Sequence, residues 1–479
     1  MERILTAEQM RLADEYTINK LGVPQEILVE RAGICVVEEI KKRFIGGRVL
    51  VCIGKGNNGA DGIVIARELS KVHGFSVTTL NVSNGIFKLF DKKYDIVVDC
   101  IFGTGLNRNV DGKYKTAIER INSLGAFVVT CDISSGLNGN NGKVMGCAVK
   151  ANLTVAIQEY KLGHFLNDGP DYSGEVVAKD IGISIWGENY AKKLNDSSVS
   201  TFFPKRNKNV HKGNFGKACV FGGSINYTGS IILSANALCA LKMGVGYVNL
   251  VVPNSLFNAY VGKVPEALLS SFDDGENVSL DENCLNNLLK YDSIAIGMGM
   301  GVTEKVYQTI KYLLTNYNGK LLIDADGLNS ISKFGVEILK NKKCEVVLTP
   351  HVAEFSRLTG KSVQDIIDNP INSAIEFAQN YGVVLLLKNA TSIITDGNEV
   401  YLNTTGTPAM AKAGSGDVLS GLTAGLLARN NETLITVAVA SYLFGKLGES
   451  ASAKQNDYTV IASDLIDNIP LVINEISKQ

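Results

Sequence analysis

Short, β-branched apolar runs alternate with helical segments twice along this chain, and that alternation leaves few folds open. In the first stretch the runs are RVLVCI (48–53), FSVTTL (75–80), DIVVD (95–99) and AFVVTCD (126–132). In the second they are KACVFGG (217–223), GYVNLVV (246–252), YDSIAIG (291–297), KLLIDAD (320–326), CEVVLTP (344–350) and GVVLLLK (382–388). Strands interleaved with helices close into a parallel sheet with helices on its faces, so each stretch reads as α/β. No fixed-period repeat occurs, which removes solenoids. A chain of 479 residues is too long for one core. Residues 195–214, NDSSVSTFFPKRNKNVHKGN, are polar, basic and turn-forming around Pro204, a linker signature. The boundary is set near residue 203, giving domains 1–202 and 203–479.

The chain ends add detail. Thr6 and Gln9 have capping-box spacing ahead of an amphipathic segment, and a longer helix is expected after Pro24. From Asp417 onward the chain reads as mostly helical. The formal net charge of −1 supplies no field for nucleic acid or anionic membrane. The N-terminal MERILTAEQM lacks a signal-type apolar core, and no run is long enough to span a bilayer. A cytoplasmic protein is expected. Nine cysteines are scattered without a CxxC pair, and Cys52, Cys100, Cys131 and Cys219 fall in strand-like runs, as small buried thiols do. Four histidines without HxxxH or HExxH spacing make a transition-metal site a poor reading.

The first candidate site follows RVLVCI. Residues 54–59, GKGNNG, form a GxGxxG loop before a helix, where glycines let backbone N–H groups approach phosphate and the helix start favours an anion. The acidic residue expected at the end of the next strand of an ordinary dinucleotide site is missing, since that strand ends TLNVSNG. Two further strand ends carry polar loops, DCIFGTGLNRN (99–109) and DISSG (132–136). Any one of them suits a turn capped by Asp99 or Asp132; three together at carboxyl ends of parallel strands suit a ligand crevice.

NNGxDG, DxxFGTG and DIxSG in this order resemble the NAD(P)H-hydrate epimerase family over roughly residues 1–200. The resemblance implies a Rossmann-like, doubly wound domain. It implies substrate contacts at Asn57, Asn58, Gly59, Ala60 and Asp61, and at Gly103, Thr104, Gly105, Leu106, Asn107, Arg108 and Asn109. It places Asp132 beside the reacting ring, and potassium on Asn58, Asp99 and Ser135, whose oxygens suit a hard alkali cation. The reaction is inversion at the hydrated ring carbon, and Asp132 is the expected carrier of the protons. Ala60 and Ser134 stand where the family often has Gly and Pro.

The second candidate site is GSGD (414–417) before the small-residue helix VLSGLTAGLLA. Glycines at a helix start leave N–H groups for a phosphoryl group, and Asp417 in the first turn is placed to accept a proton from an attacking hydroxyl. Alone, the motif reads equally as a glycine N-cap with a favoured acidic residue. With HKGNFGKACVFGGS (211–224), GMGMG (297–301), DADGLN (324–329), LTPHVAEFSRL (348–358), LKNATS (387–392) and GTPAMAKAGSGD (406–417), the set resembles the ribokinase-like NAD(P)H-hydrate dehydratase family over residues 203–479. That resemblance implies adenine-nucleotide contacts at Lys388, Asn389, Ala390, Thr391, Ser392, Gly414 and Gly416. It implies hydrate contacts at Gly299, His351 and Asp417, with Glu354 on the Mg²⁺ or phosphate side. Walker A is absent. Asn389 replaces the glycine of a KGA pattern, and Asn is the residue after Gly that best tolerates a left-handed backbone.

The two resemblances together imply a bifunctional metabolite-repair enzyme, an isomerase joined to an ADP- or ATP-dependent lyase that gives NAD(P)H, AMP and phosphate when ADP is used. Its cofactors would be K⁺ and Mg²⁺. Its partners would be small molecules, with no nucleic acid or membrane, in a homo-oligomer. The alternatives are a ribokinase-type small-molecule kinase and an N-terminal module that only binds nucleotide.

Overall fold

The computed structural model describes all residues except 86–87, 188–189, 239–243, 276–279, 430 and 479. The chain divides into two compact units, Arg3–Tyr190 and Met1–Glu2 with Ala191–Gln479.

The first unit opens with β1 (Glu2–Leu5), whose Ile4 and Leu5 pair in parallel with β7 (Tyr160–Lys161). Its main sheet contains β2 (Gly47–Ile53), β3 (Phe75–Asn81), β4 (Ile96–Cys100), β5 (Phe127–Cys131), β6 (Leu153–Ile157) and β8 (Glu175–Lys179). The order is β3-β2-β4-β5-β6-β8, parallel throughout. Alternation along β2 sends Val49, Val51 and Ile53 to one core with Val36, Ile40, Ile65 and Leu69, while Leu50 and Cys52 join Ile118 and Ile121 on the other face. Helices thus cover both faces, as the doubly wound expectation requires. Thr6 and Gln9 cap helix Ala7–Asn19 reciprocally, an arrangement that contributes about 1 kcal/mol. The helix after Pro24 runs Gln25–Arg43.

The second unit contains β9 (Ala191–Lys193), β10 (Lys217–Phe221), β11 (Tyr247–Pro253), β12 (Leu268–Phe272), β13 (Ser293–Ile296), β14 (Lys320–Ile323), β15 (Glu345–Leu348), β16 (Val384–Leu387), β17 (Ser392–Thr395) and β18 (Val400–Asn403). Their order is β12-β11-β10-β13-β14-β15-β16-β17-β18-β9. Strands β12 to β16 pair in parallel and β17 and β18 antiparallel, so this sheet is mixed. After Asp417 the described chain is helical over Ser415–Leu427, Thr433–Lys454, Ala462–Asp467 and Ile469–Ile476.

The structural division falls at Tyr190/Ala191 rather than at 202/203. Residues 191–202 carry their own strand and core contacts: β9 pairs with β18, and Leu194 and Val199 enter the apolar core of the second unit. The polar residues that read as linker include Asn195 and Ser198, which cap the short helix Asp196–Ser200.

Candidate functional site

In the first unit the chain runs from β2 out to β3 and returns on the other side as β4. The loops after β2 and β4 therefore meet at a topological switch point, where ligands of open α/β sheets bind. The glycines of GKGNNG have different duties there. A Cβ on Gly54 would lie 1.9 Å from the Ile101 carbonyl oxygen, and one on Gly59 2.3 Å from the Gly54 oxygen. Gly56, with φ +101, faces open space. Two of the three thus serve backbone packing. Gly54→Ala is expected to cost about 3 kcal/mol, read as a lowered urea midpoint; an unchanged midpoint would contradict this packing.

A cavity of about 890 Å³ opens at these loops. Asn57, Asn58, Asp61, Gly103 to Arg108 and Asp132 line it. Gly59, Ala60 and Asn109 are not on its wall. Gly59 packs on the Gly54 carbonyl, the Ala60 N–H donates to Gly56 O at 3.1 Å, and Asn109 is exposed beside Gly146.

Asp132 stands at the end of β5 with φ 66, one of four non-glycine residues with a left-handed backbone among those described. Its Oδ1 accepts from the Ile157 N–H at 3.1 Å and pairs with the Lys161 ammonium, whose side chain is only 1% exposed. Lys161 also donates to Ile157 O at 2.6 Å. His164 Nε2 lies 2.8 Å from the Asp132 carbonyl, while its Nδ1 accepts from the Lys161 N–H. Asp14, from helix Ala7–Asn19, and Lys161 also line the cavity, and sequence reasoning missed both. The run LTVAI before Lys161 was the available signal. Burial, then the Asp132 charge, raises the carboxyl of Asp61 to about 7 and pushes that of Asp14 upward.

Asn58, Asp99 and Ser135 converge below the same loop. Asp99 is fully buried and accepts from Ser135 Oγ at 2.7 Å, from the Ser135 N–H at 2.9 Å and from the Ile101 N–H at 3.1 Å. Asn58 Nδ2 donates to Phe102 O at 2.6 Å, and Ser135 Oγ lies 3.2 Å from the same oxygen. Asn58 Oδ1 is buried without a hydrogen-bond partner. A buried amide oxygen without a donor, next to a carboxylate, a hydroxyl and a carbonyl, is an oxygen set that fits a hard monovalent cation. Ser134, in the family's proline position, donates to Tyr172 O at 2.9 Å.

In the second unit the switch lies between β10 and β13, and residues after the parallel strands build the site. Helix Ser415–Leu427 starts at Gly414, φ 90. Its small face packs on helix Thr228–Leu238, because a Cβ on Gly421 would lie 2.1 Å from Ser234 O. Asp417 lies near Ser230, whose hydroxyl favours its charged form, and is pushed up to about 6, first by burial and then by the Asp324 charge. Gly299, φ 64, packs on Tyr227 and Ser230. Asp324, buried after β14, accepts from Lys388 Nζ at 3.0 Å and from Ser420 Oγ at 2.6 Å. Lys388 Nζ lies 3.7 Å from a Cβ placed on Gly416. Asp324, Ser230 and Ser420 were not singled out in the sequence, although DADGLN contains the first.

His351 caps helix Val352–Thr359, its Nδ1 accepting from the Ala353 and Glu354 N–H groups while Glu354 Oε2 accepts from its own N–H at 2.9 Å. The histidine thus satisfies backbone groups of its own helix start, and the accepting Nδ1 leaves the proton on Nε2. His351 and Lys388 sit side by side in a short parallel bridge. Burial and the Asp324 charge raise the Glu354 carboxyl, which Lys388 partly offsets. Asn389 and Ala390 are exposed, Thr391 is buried, and Ser392 Oγ lies 3.3 Å from Asn389 O. Asn389 is not among the positive-φ residues, so the KGA departure places no strain on the backbone.

The profile described as NAD(P)H-hydrate dehydratase matches residues 218–471, and that of the YjeF-related protein N-terminus matches 25–87 and 81–163. The chain is 31% identical to the bifunctional NAD(P)H-hydrate repair enzyme Nnr of Moorella thermoacetica, over 99% of this chain and 97% of that one. The chain belongs to the bifunctional NAD(P)H-hydrate repair enzyme family. A ribokinase-like superfamily protein from Enterococcus faecalis covers 60% of this chain and 97% of its own at TM-score 0.53 and 25% identity. ADP/ATP-dependent NAD(P)H-hydrate dehydratase from Bacillus subtilis, co-crystallised with ATP/Mg²⁺, covers 59% and 97% at TM-score 0.51 and 28% identity. The mixed sheet of the second unit is thus ribokinase-like, as the GSGD context implied.

Proposed function

We propose that this chain restores hydrated NADH and NADPH: its first domain interconverts the R and S hydrates, and its second dehydrates the S form using ADP or ATP. One observation carries the reading: each domain of a chain in this family presents a carboxylate at its candidate site, Asp132 in a cavity of about 890 Å³ and Asp417 at a glycine-capped helix start. In the second domain the ring hydroxyl attacks the terminal phosphoryl, Asp417 takes its proton, and the Gly414–Gly416 amides face the transferring charge. Phosphate then departs with the push of the ring nitrogen. The test is return of NADH absorbance from the hydrate with nucleotide, alongside chromatographic R-to-S interconversion. A stable phosphorylated product without NADH would overturn it in favour of a kinase.

Residue roles follow the same reading. Lys388 to Ser392, Gly414 and Gly416 hold the nucleotide, and Gly299, His351 and Asp417 face the hydrate. ADP is the proposed co-substrate. Because Asn389 carries no strain, Asn389→Gly should change the apparent nucleotide affinity by less than about two-fold, measured by titration of the dehydration rate. Potassium would be held by Asn58, Asp99 and Ser135, where it would neutralise the buried carboxylate and brace the loop at 99–109. Mg²⁺, present with ATP in the Bacillus subtilis relative, suits the carboxylate oxygens beside Glu354 and would neutralise phosphate charge. Exposed Ile27, Ile34 and Ile63 on two N-terminal helices support a homo-oligomer. The eight described cysteines are free, as suits the reducing cytoplasm proposed for the chain. Among the described residues no helix is long and apolar enough to cross a membrane.

A further inference from the structure

We propose that Asp61 is the general acid of the epimerase cavity and Asp132 its base, with Lys161 the positioning residue that holds the Asp132 carboxylate in place. The inference rests on the first domain acting as an epimerase. Its geometry is on the page: Asp61 and Asp132 line one cavity from different elements, helix Asn57–Ser70 and the end of β5. Only Asp132 has an ammonium partner, since Lys161 bonds it and Ile157 O from a position 1% exposed. Asp61 instead meets a thiol, Cys131 Sγ at 3.8 Å from its Oδ2.

The groups that act most strongly on Asp61 are Asp132 and Cys131 from β5 and Asp14 from helix Ala7–Asn19, with Cys100 of β4 beside them. Arg11, Lys55, Arg108 and Lys161 line the same cavity, yet burial raises the Asp61 carboxyl to about 7, so it carries its proton in mildly acidic solution. A buried carboxyl that meets a thiol, and a second carboxyl bonded to an ammonium, both lining one cavity, suit an acid–base pair.

The step balances. The Asp61 proton passes to the ring hydroxyl, the C–O bond breaks with its pair on oxygen, and water leaves. The lone pair of the adjacent ring nitrogen forms C=N. A water on the opposite face adds its oxygen to that carbon, Asp132 takes its proton, and the C=N pair returns to nitrogen. One hydroxyl has left and one has entered, and solvent exchange resets the two carboxyls.

The full chain is given R hydrate and the S hydrate is measured by chromatography from pH 5 to 9, with wild-type interconversion first established; its failure would sink the epimerase reading itself. The wild-type rate should fall as pH rises through about 7. Asp61→Asn should lose about 100-fold or more in kcat with KM nearly unchanged and no alkaline limb. Asp14→Asn should keep that limb. Lys161→Met should lower kcat and Lys161→Arg should restore part of it. In ¹⁸O-water each inversion should install one labelled oxygen. A folded Asp61→Asn chain with wild-type kcat, a limb lost only in Asp14→Asn, or inversion without label would each overturn the assignment.

Discussion

Asp417→Asn is expected to abolish nucleotide-dependent recovery of NADH while R-to-S interconversion continues at the wild-type rate. The loss should be about 10²–10⁴-fold in kcat, the usual contribution of a positioned base. Asn matches the carboxylate in shape and keeps an oxygen toward Ser230, so binding and fold should change little. Wild-type dehydration should also depend on pH. With the Asp417 carboxyl raised to about 6 by burial and by Asp324, the base form is present above that value. Activity should therefore fall as pH falls through about 6 and hold above it. Asp324→Asn removes a repelling charge and should move this limb to lower pH. Retained dehydration in Asp417→Asn, or a limb unmoved by Asp324→Asn, would remove Asp417 from the chemistry.

Asp132→Asn should produce the mirror image, loss of interconversion by about 10²–10⁴-fold with dehydration of S hydrate intact. Here stability should change as well. Asn tolerates the left-handed backbone at φ 66 and keeps an oxygen for the Ile157 N–H, so the substitution isolates the charge. What remains is the Lys161 ammonium, buried with the Ile157 carbonyl. Breaking one side of a buried pair costs about 3–5 kcal/mol, less here because Asp132 is 17% exposed. The double variant Asp132→Asn with Lys161→Met should recover most of the lost Tm and none of the activity. Recovery of interconversion in the double variant would falsify a proton-carrying role for Asp132.

These two domains differed in how openly the chain announced them. The ten apolar runs read as strands all pair in a sheet. Nine are interior strands, which a parallel sheet buries on both faces and keeps apolar, and the tenth, the edge strand β3, is β-branched though half-exposed. Strands β1, β6, β7, β8, β9, β12, β17 and β18 went unread. Of these, β6, β17 and β18 are almost fully buried, and their apolar residues were a usable signal. By contrast, β8, β9 and β12 are short or half-exposed, so their residues need not be uniformly apolar. Residues 191–202 show the same effect, since a strand of three residues inside a polar segment gives no periodicity.

The glycine loops, the carboxylates at strand ends and the GSGD helix start were legible from sequence because each is a local arrangement: a few neighbouring residues set a turn, a cap or an amide cradle. Charge pairing is not local. Lys161 lies 29 residues from Asp132, and Lys388 lies 64 from Asp324, and only the pleating of β5 beside β6 and of β14 beside β15 and β16 brings them into contact. Sequence thus determined the candidate carboxylates and glycine loops and where the backbone turns to present them. Tertiary structure alone decided which carboxylates are paired with an ammonium, which are pushed upward by burial, and which glycines face open space rather than packed backbone, because burial and Coulomb energy depend on distances that chain separation does not encode.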